Sequence, residues 1–222
     1  YFNPTEKEAD RNLLTRQNME TTTLATTLED GSIVYLAGNA AIHYPEHFQP
    51  DKREISLQGN ALFDIAGNRK RPFLIETEDA RIEVLGTAFN VKSDGSQPFE
   101  LSVQRGLVKV TLKKSGQDVH VKAGETVTLS SRKLQVRQTK DTGQFEEYVR
   151  QIRFKDERLA DILRVINLNA EDISLKTTPE LESRTLTVTF ADNSPETMAE
   201  LICFALDLKC TRENNVITLH EN

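Results

Sequence analysis

Tryptophan is missing from the 222 residues, and methionine and cysteine occur only twice each. No stretch approaches the roughly 18 consecutive apolar residues of a membrane span, and the start carries no signal-peptide pattern. Ten glycines and seven prolines are no enrichment, which excludes collagen-like and low-complexity classes. Positive charge is in deficit: 28 Lys+Arg stand against 34 Asp+Glu. The deficit is concentrated in residues 151–222, with 8 basic against 13 acidic side chains. An acidic balance without a basic patch speaks against nucleic acid as partner and leaves a protein partner. The two cysteines, Cys203 and Cys210, form neither a metal-type pair nor a disulfide framework. Cys203 reads as a small core hydrophobe; a Cys203–Cys210 bridge in an oxidising compartment stays open, since geometry decides it.

What is present is an ordinary soluble composition, 37% hydrophobic and 28% charged, in a chain long enough for one large domain or two small ones. Residues 5–18 are polar and charged with Leu13 and Leu14 as the only aliphatics, and read as a linker or frayed helix. From Glu20 to Val136 short apolar runs alternate with turn signals. Asp30-Gly31 before Ile33–Leu36 is a hairpin signal. The spacing predicts an all-β sandwich or rolled sheet. The apolar parity slips at Leu85-Gly86 and again across Gly106, so both glycines are candidate bulges or corners. A polar stretch, Arg137–Gln144, precedes Phe145 and Tyr148, a short helix tucked against one domain.

Residues 151–222 read as α+β. Ile152–Phe154 is a strand; Asp156 is the expected cap of a helix whose apolar face holds Leu159, Ile162, Leu163 and Ile166. Strands follow at Ile173–Lys176 and Leu186–Phe190. Ser194-Pro195-Glu196 starts a second helix, with Met198, Leu201, Ile202 and Ala205 as its stripe. Leu208–Thr211 and Val216–Leu219 close a hairpin around Asn214-Asn215. Phe154-x-Asp156 recurs as Phe190-x-Asp192, a weak repeat. The expected arrangement is βαβ followed by βαββ, helices on one face of a small sheet. The division is a stalk over 1–20, a mainly β domain over 21–137, a linker over 138–150 and an α+β domain over 151–222.

Several stretches carry a resemblance: Asp30-Gly31-Ser32-x-Val34-x-Leu36, Arg53-Glu54-x-x-Leu57-x-Gly59, Leu62-Phe63-x-Ile65, Arg71-Pro72-Phe73-x-Ile75, Val84-Leu85-Gly86-Thr87-x-Phe89-Asn90-Val91 and Arg105-Gly106-x-Val108. In this order the first domain resembles the FecR family of anti-sigma factors. Asp30, Gly31, Gly59, Gly86, Thr87, Phe89, Gly106 and Gly124 are its structural positions. The second domain resembles the short signalling domain at the N-terminus of secretins and TonB-dependent receptors, through Phe154-x-Asp156-x-x-Leu159-x-x-Ile162-Leu163, Leu186-Thr187-x-x-Phe190 and Met198-Ala199-x-Leu201-Ile202. The resemblance implies the exported, periplasmic part of a protein that spans the inner membrane once. A cytoplasmic domain, expected outside this chain, would hold an extracytoplasmic-function sigma factor. The exported part would sense the signalling domain of a TonB-dependent outer-membrane receptor.

No arrangement of residues points to catalysis, and no cofactor is expected. His43 and His47 are separated by Pro45, which is wrong for a helical metal pair. The acid pairs Glu146-Glu147, Asp156-Glu157 and Glu171-Asp172 suit solvated helix starts and loops. The remaining candidate is a sheet edge that accepts a partner strand. Val216, Ile217, Thr218 and Leu219 are the first choice, and Leu186, Thr187 and Val188 the second. Two other readings stay open: a carbohydrate-binding or assembly module, for which Tyr35, Tyr44 and Phe48 are the candidate platform, and a ring-forming secretin-type domain.

Overall fold

A computed structural model describes residues 13–222. The expectations for residues 1–12, most of the stalk, lie outside the described residues. The chain runs β1 (Leu13–Gln17), β2 (Thr23–Thr27), β3 (Ile33–Leu36), β4 (Ala41–Pro45), β5 (Arg53–Gln58), β6 (Ala61–Asp64), β7 (Phe73–Glu76), β8 (Ala80–Val84), β9 (Ala88–Lys92), β10 (Glu100–Arg105), β11 (Leu107–Leu112), β12 (Asp118–Lys122), β13 (Glu125–Ser130) and β14 (Lys133–Gln138). A 3-10 turn (Gly143–Phe145) and a short helix α1 (Glu147–Arg150) lead to β15 (Gln151–Arg158), α2 (Leu159–Asn169), β16 (Ser174–Thr177), β17 (Thr185–Ala191), α3 (Pro195–Leu206), β18 (Lys209–Glu213) and β19 (Val216–His220). The expectation is α+β with a mainly β N-terminal domain, and the described residues are mainly β.

Two sheets build the sandwich: seven strands in the order β1-β4-β5-β7-β8-β11-β12, and nine in the order β14-β13-β10-β9-β6-β3-β2-β15-β17. Between them lies a core that includes Val34, Leu36, Phe63, Phe73, Ile75, Ile82 and Phe89. Phe63 and Phe89 stack with ring centroids 5.3 Å apart. The nine-stranded sheet is buried on its other face as well. Ile33, Tyr35, Leu62 and Ala25 point into a second core with Phe154, Leu159, Ile162, Phe190, Ile202 and Leu219. Burial on both faces explains why Ile33–Leu36 is continuously apolar where a half-buried strand would alternate.

The parity slips have a physical cause. β8 and β9 belong to opposite sheets, as do β10 and β11, so the chain turns a corner at each slip. Gly106 has φ +91°, and a Cβ there would lie 2.6 Å from Thr87 Cγ2. Gly86 packs against Gly67 so closely that a Cβ would lie 2.6 Å from the Gly67 Cα. The ladder between β9 and β10 shifts register between Val103 and Arg105. The two corners therefore interlock, and only glycine fits either.

Three expectations are corrected. Residues 13–17, placed in the stalk, form β1, paired antiparallel with β4 over its whole length. Backbone pairing to a free edge outweighs a weak local preference. Residues 138–150, expected as a linker, do not separate the halves: Gln144, Phe145 and Tyr148 are buried, in keeping with the short tucked helix expected there. Asn90, buried in β9, draws them in by accepting from the Tyr148 hydroxyl (2.9 Å) and donating to Gln144 Oε1 (3.1 Å), since a buried amide must be satisfied. Third, the strands of the C-terminal half do not form one small sheet. β15 and β17 extend the nine-stranded sheet, β15 pairing parallel with β2, while β16-β19-β18 form a separate sheet.

Within the C-terminal half, the order of strands and helices follows the expectation. Ser194 caps α3 by accepting from the Thr197 N–H, with Pro195 at the first position. Asp156 does not cap α2; Arg158 stands at the cap position. Asp156 instead occupies a bulge at φ +51°, and Asp192, its counterpart in the repeat, takes φ +52°. The two phenylalanines of the repeat, Phe154 and Phe190, meet edge to face at 6.1 Å. On α3 the buried positions are Ala199, Ile202 and Cys203, while Leu201 faces solvent. Cys203 and Cys210 are joined in a disulfide.

Candidate protein-interaction site

The sandwich and the C-terminal module meet along one line. β2 and β15 pair parallel over three residues, Thr23 to Ile152, Leu24 to Arg153 and Ala25 to Phe154. Where this ladder ends, the Thr27 N–H donates to Glu157 Oε1 at 3.0 Å. Glu157 is only 7% exposed. Burial raises its carboxyl above the usual carboxylate range, against the opposing pull of the Thr27 N–H.

In the second turn of α2, Arg164 reaches across and donates to the Gly31 carbonyl at 2.6 Å. Gly31 must be glycine here: it has φ +83°, and a Cβ would lie 2.9 Å from Arg164 Nη1. The turn it belongs to is held from the other side. Arg53, 1% exposed, donates from Nη1 to Asp30 Oδ2 (2.6 Å) and to the Ala66 carbonyl (2.8 Å), and from Nε to the Arg71 carbonyl (2.9 Å). Its guanidinium stands 5.3 Å from the Phe73 ring centroid. Asp30 also accepts from the Ser32 N–H and hydroxyl. The Asp30-Gly31-Ser32 turn is thus fixed to the sandwich core by a buried ion pair and to the C-terminal module by Arg164. A buried ion pair of this kind holds geometry more than it adds stability. Asp30 and Gly31 were singled out in the sequence. Arg164 was missed because helix periodicity flags only apolar positions, and a long basic side chain looks solvated until its partner is seen.

The candidate edges separate clearly. Val216, Ile217, Thr218 and Leu219 lie on β19, the middle strand of its sheet, paired with β16 on one side and β18 on the other. Their backbone is used up, so the first-choice edge is corrected: both flanking strands outcompete a partner. Leu186, Thr187 and Val188 lie on β17, the last strand of the nine-stranded sheet, paired only with β15. Leu186, Val188 and Phe190 turn toward the second core, and Thr185, Thr187 and Thr189 face solvent.

Other surfaces offer less. An apolar groove of about 320 Å³ lies among Ile152, Phe154, Val165, Ile166 and Met198, and its rim charges, Arg150 and Asp192, approach each other at 3.7 Å. His47 bonds Glu29 at 3.0 Å and His43 bonds Thr15 at 2.9 Å. Of the aromatic platform considered for a glycan, Tyr35 and Phe48 are core residues at 3% and 7% exposure. Among the described residues no helix is long and apolar enough to cross a membrane.

Comparison with known proteins places these features. None of the curated proteins matches the chain. Two crystal structures of a "putative anti-sigma factor" from Parabacteroides distasonis ATCC 8503 share its fold. One is 20% identical with a TM-score of 0.57, covering 95% of this chain and 99% of that one. The other is 19% identical with a TM-score of 0.57, covering 94% and 99%. The shared fold spans the sandwich and the C-terminal module together. The model of the family described as FecR protein matches residues 17–109, the stretch that holds the Asp30 turn, Arg53 and the Gly86 and Gly106 corners. The likeness to the FecR family is thus shown for residues 17–109, and the solved structures share the fold of the chain beyond it.

Proposed function

We propose that this chain is the exported sensing part of a FecR-type anti-sigma factor. In this reading it responds by contact to the signalling domain of a TonB-dependent outer-membrane receptor. The state of that receptor passes through an inner-membrane span and a cytoplasmic domain to an extracytoplasmic-function sigma factor. No bond is made or broken by the chain itself.

The observation that carries the reading is the open β17 edge, on a module joined without slack to a FecR sandwich. A partner strand laid along Leu186–Val188 would find free backbone groups and an apolar underside. Force or displacement at β17 would reach β15, then the β2 ladder, Glu157 and Arg164, and so the Asp30 turn. Such a path is a contiguous set of hydrogen bonds and packed strands, one physical route by which distant surfaces couple. The Cys203–Cys210 disulfide supports an oxidising compartment such as the periplasm. A pull-down of the chain against the signalling domains of TonB-dependent receptors from the same organism tests the reading. Capture of at least one, lost when Val188 is replaced by lysine, is the expected result; capture of none refutes it.

A further inference from the structure

Among the described residues the three sheets end in six edge strands: β1, β12, β14, β17, β16 and β18. Five of them carry charge. Arg16 lies on β1, Asp118 and Lys122 on β12, Lys133 and Arg137 on β14, Lys176 on β16, and Lys209, Arg212 and Glu213 on β18. Charged edges repel a second strand and keep sheets from extending. β17, Thr-Leu-Thr-Val-Thr-Phe-Ala over residues 185–191, carries none. It consists almost wholly of β-branched, aliphatic and aromatic residues, the types that pair best across strands. Such an edge is expected to be covered.

The order of its residues says by what. Thr185-Leu186-Thr187-Val188-Thr189 reads nearly the same in both directions about Thr187. An antiparallel partner with the same sequence, related by a two-fold axis through Thr187, would set Thr185 opposite Thr189 of the second copy. Leu186 would meet Val188 of the second copy, and Thr187 would meet itself. Every pair is like with like, threonine on the solvent face and aliphatic on the core face, and such matches are the favoured cross-strand pairs. The faces agree too, because residues directly opposite in an antiparallel ladder share a face. Thr187 brings no unsatisfied hydroxyl to the axis, since its Oγ1 already bonds Asp156. A two-fold contact uses one patch twice, as this one does.

We infer that two copies of this chain pair through β17, antiparallel about Thr187, joining their nine-stranded sheets into one. The pairing rests on the symmetry of β17 and not on the proposed receptor contact, though both use the same edge and so exclude each other. Five residues per chain bury well below the roughly 1,000 Å² of a tight complex. The dimer should therefore form with a dissociation constant on the order of tens to hundreds of micromolar, corresponding to the weak end of protein association.

Sedimentation velocity of the whole chain over a rising concentration series tests this, together with three variants. The wild type should shift from monomer to dimer, and Thr187→Lys, which sets like charges opposite each other, should stay monomeric throughout. Thr187→Cys should cross-link to a covalent dimer on mild oxidation. Thr185→Cys should not, since its own copy lies four residues away along the ladder, too far for a disulfide. A chain monomeric at every concentration overturns the inference, as does a dimer that persists in Thr187→Lys. Equal cross-linking at 185 and 187 also overturns it, and the cysteine pair decides alone if the lysine variant fails to fold. A chain that dimerises and captures no receptor domain refutes only the relay; one that captures a receptor domain and never dimerises refutes only this pairing.

Discussion

Replacing Asp30 with alanine tests the buried network that holds the two halves in register. The Asp30 and Arg53 side chains are 8% and 2% exposed, so water does not replace the lost carboxylate. Removing one partner of a buried ion pair leaves an uncompensated charge and costs about 3–5 kcal/mol. Arg53 keeps its bonds to the Ala66 and Arg71 carbonyls and its contact with Phe73, which argues for the lower half of that range. Ser32 loses both of its bonds to Asp30 in the same step, at about 1 kcal/mol each. The expected total is about 5–6 kcal/mol, and at roughly 2–4 °C per kcal/mol for a chain of this size the melting temperature should fall by about 10–24 °C. Urea unfolding followed by circular dichroism measures it. The second arm is Asp30→Ala combined with Arg53→Met: with no charge left to strand, the double variant should be more stable than Asp30→Ala alone. A loss under about 1 kcal/mol for the single variant, or a double variant worse than the single, would refute the assignment of Asp30 as the necessary counter-charge.

Gly106→Ala should lower stability by about 1–3 kcal/mol, since it forces a left-handed φ on a residue with a Cβ and drives that Cβ into Thr87; thermal melting reads the loss directly. Glu157 is raised by burial in the fold, so the folded chain holds its proton to higher pH than the unfolded chain does. Its contribution to stability is therefore greatest at acid pH and is lost as pH rises from the ordinary glutamate value through the raised one. Glu157→Gln, which keeps a carbonyl for the Thr27 N–H, should remove that decline, as urea midpoints taken from pH 4 to 8 will show. Replacing Cys203 and Cys210 with serine opens a bridge of seven residues' separation. Chain-entropy reasoning puts the loss at about 2 kcal/mol, and a reductant should produce a similar drop in the wild type and none in the variant.

Much of the fold is legible in the residues, and the limits have physical causes. Ile33–Leu36 announces a strand, and Phe154-x-Asp156 and Phe190-x-Asp192 announce a repeat, though not the left-handed backbone that both aspartates take. Gly86 and Gly106 betray corners because a change of sheet reverses side-chain parity. The strand nature of Leu13–Gln17 is hidden because its side chains are largely exposed and it is held mainly by backbone bonds to β4. The parallel contact of β2 with β15 joins segments well over a hundred residues apart through three residue pairs, too few to mark either strand. β17 and β19 both alternate and both carry valine and leucine; which of them ends a sheet is a matter of topology, invisible to periodicity. Glu157 is buried and Arg164 half-buried by elements distant in the sequence, and local pattern cannot separate them from solvated neighbours.

The most direct test follows backbone amide exchange in the chain while each receptor signalling domain is titrated in. Saturable protection centred on Leu186–Val188, with smaller changes at Asp30–Ser32, is the predicted outcome. Binding that leaves β17 exchanging at its free rate, or no binding by any of the domains, would contradict it.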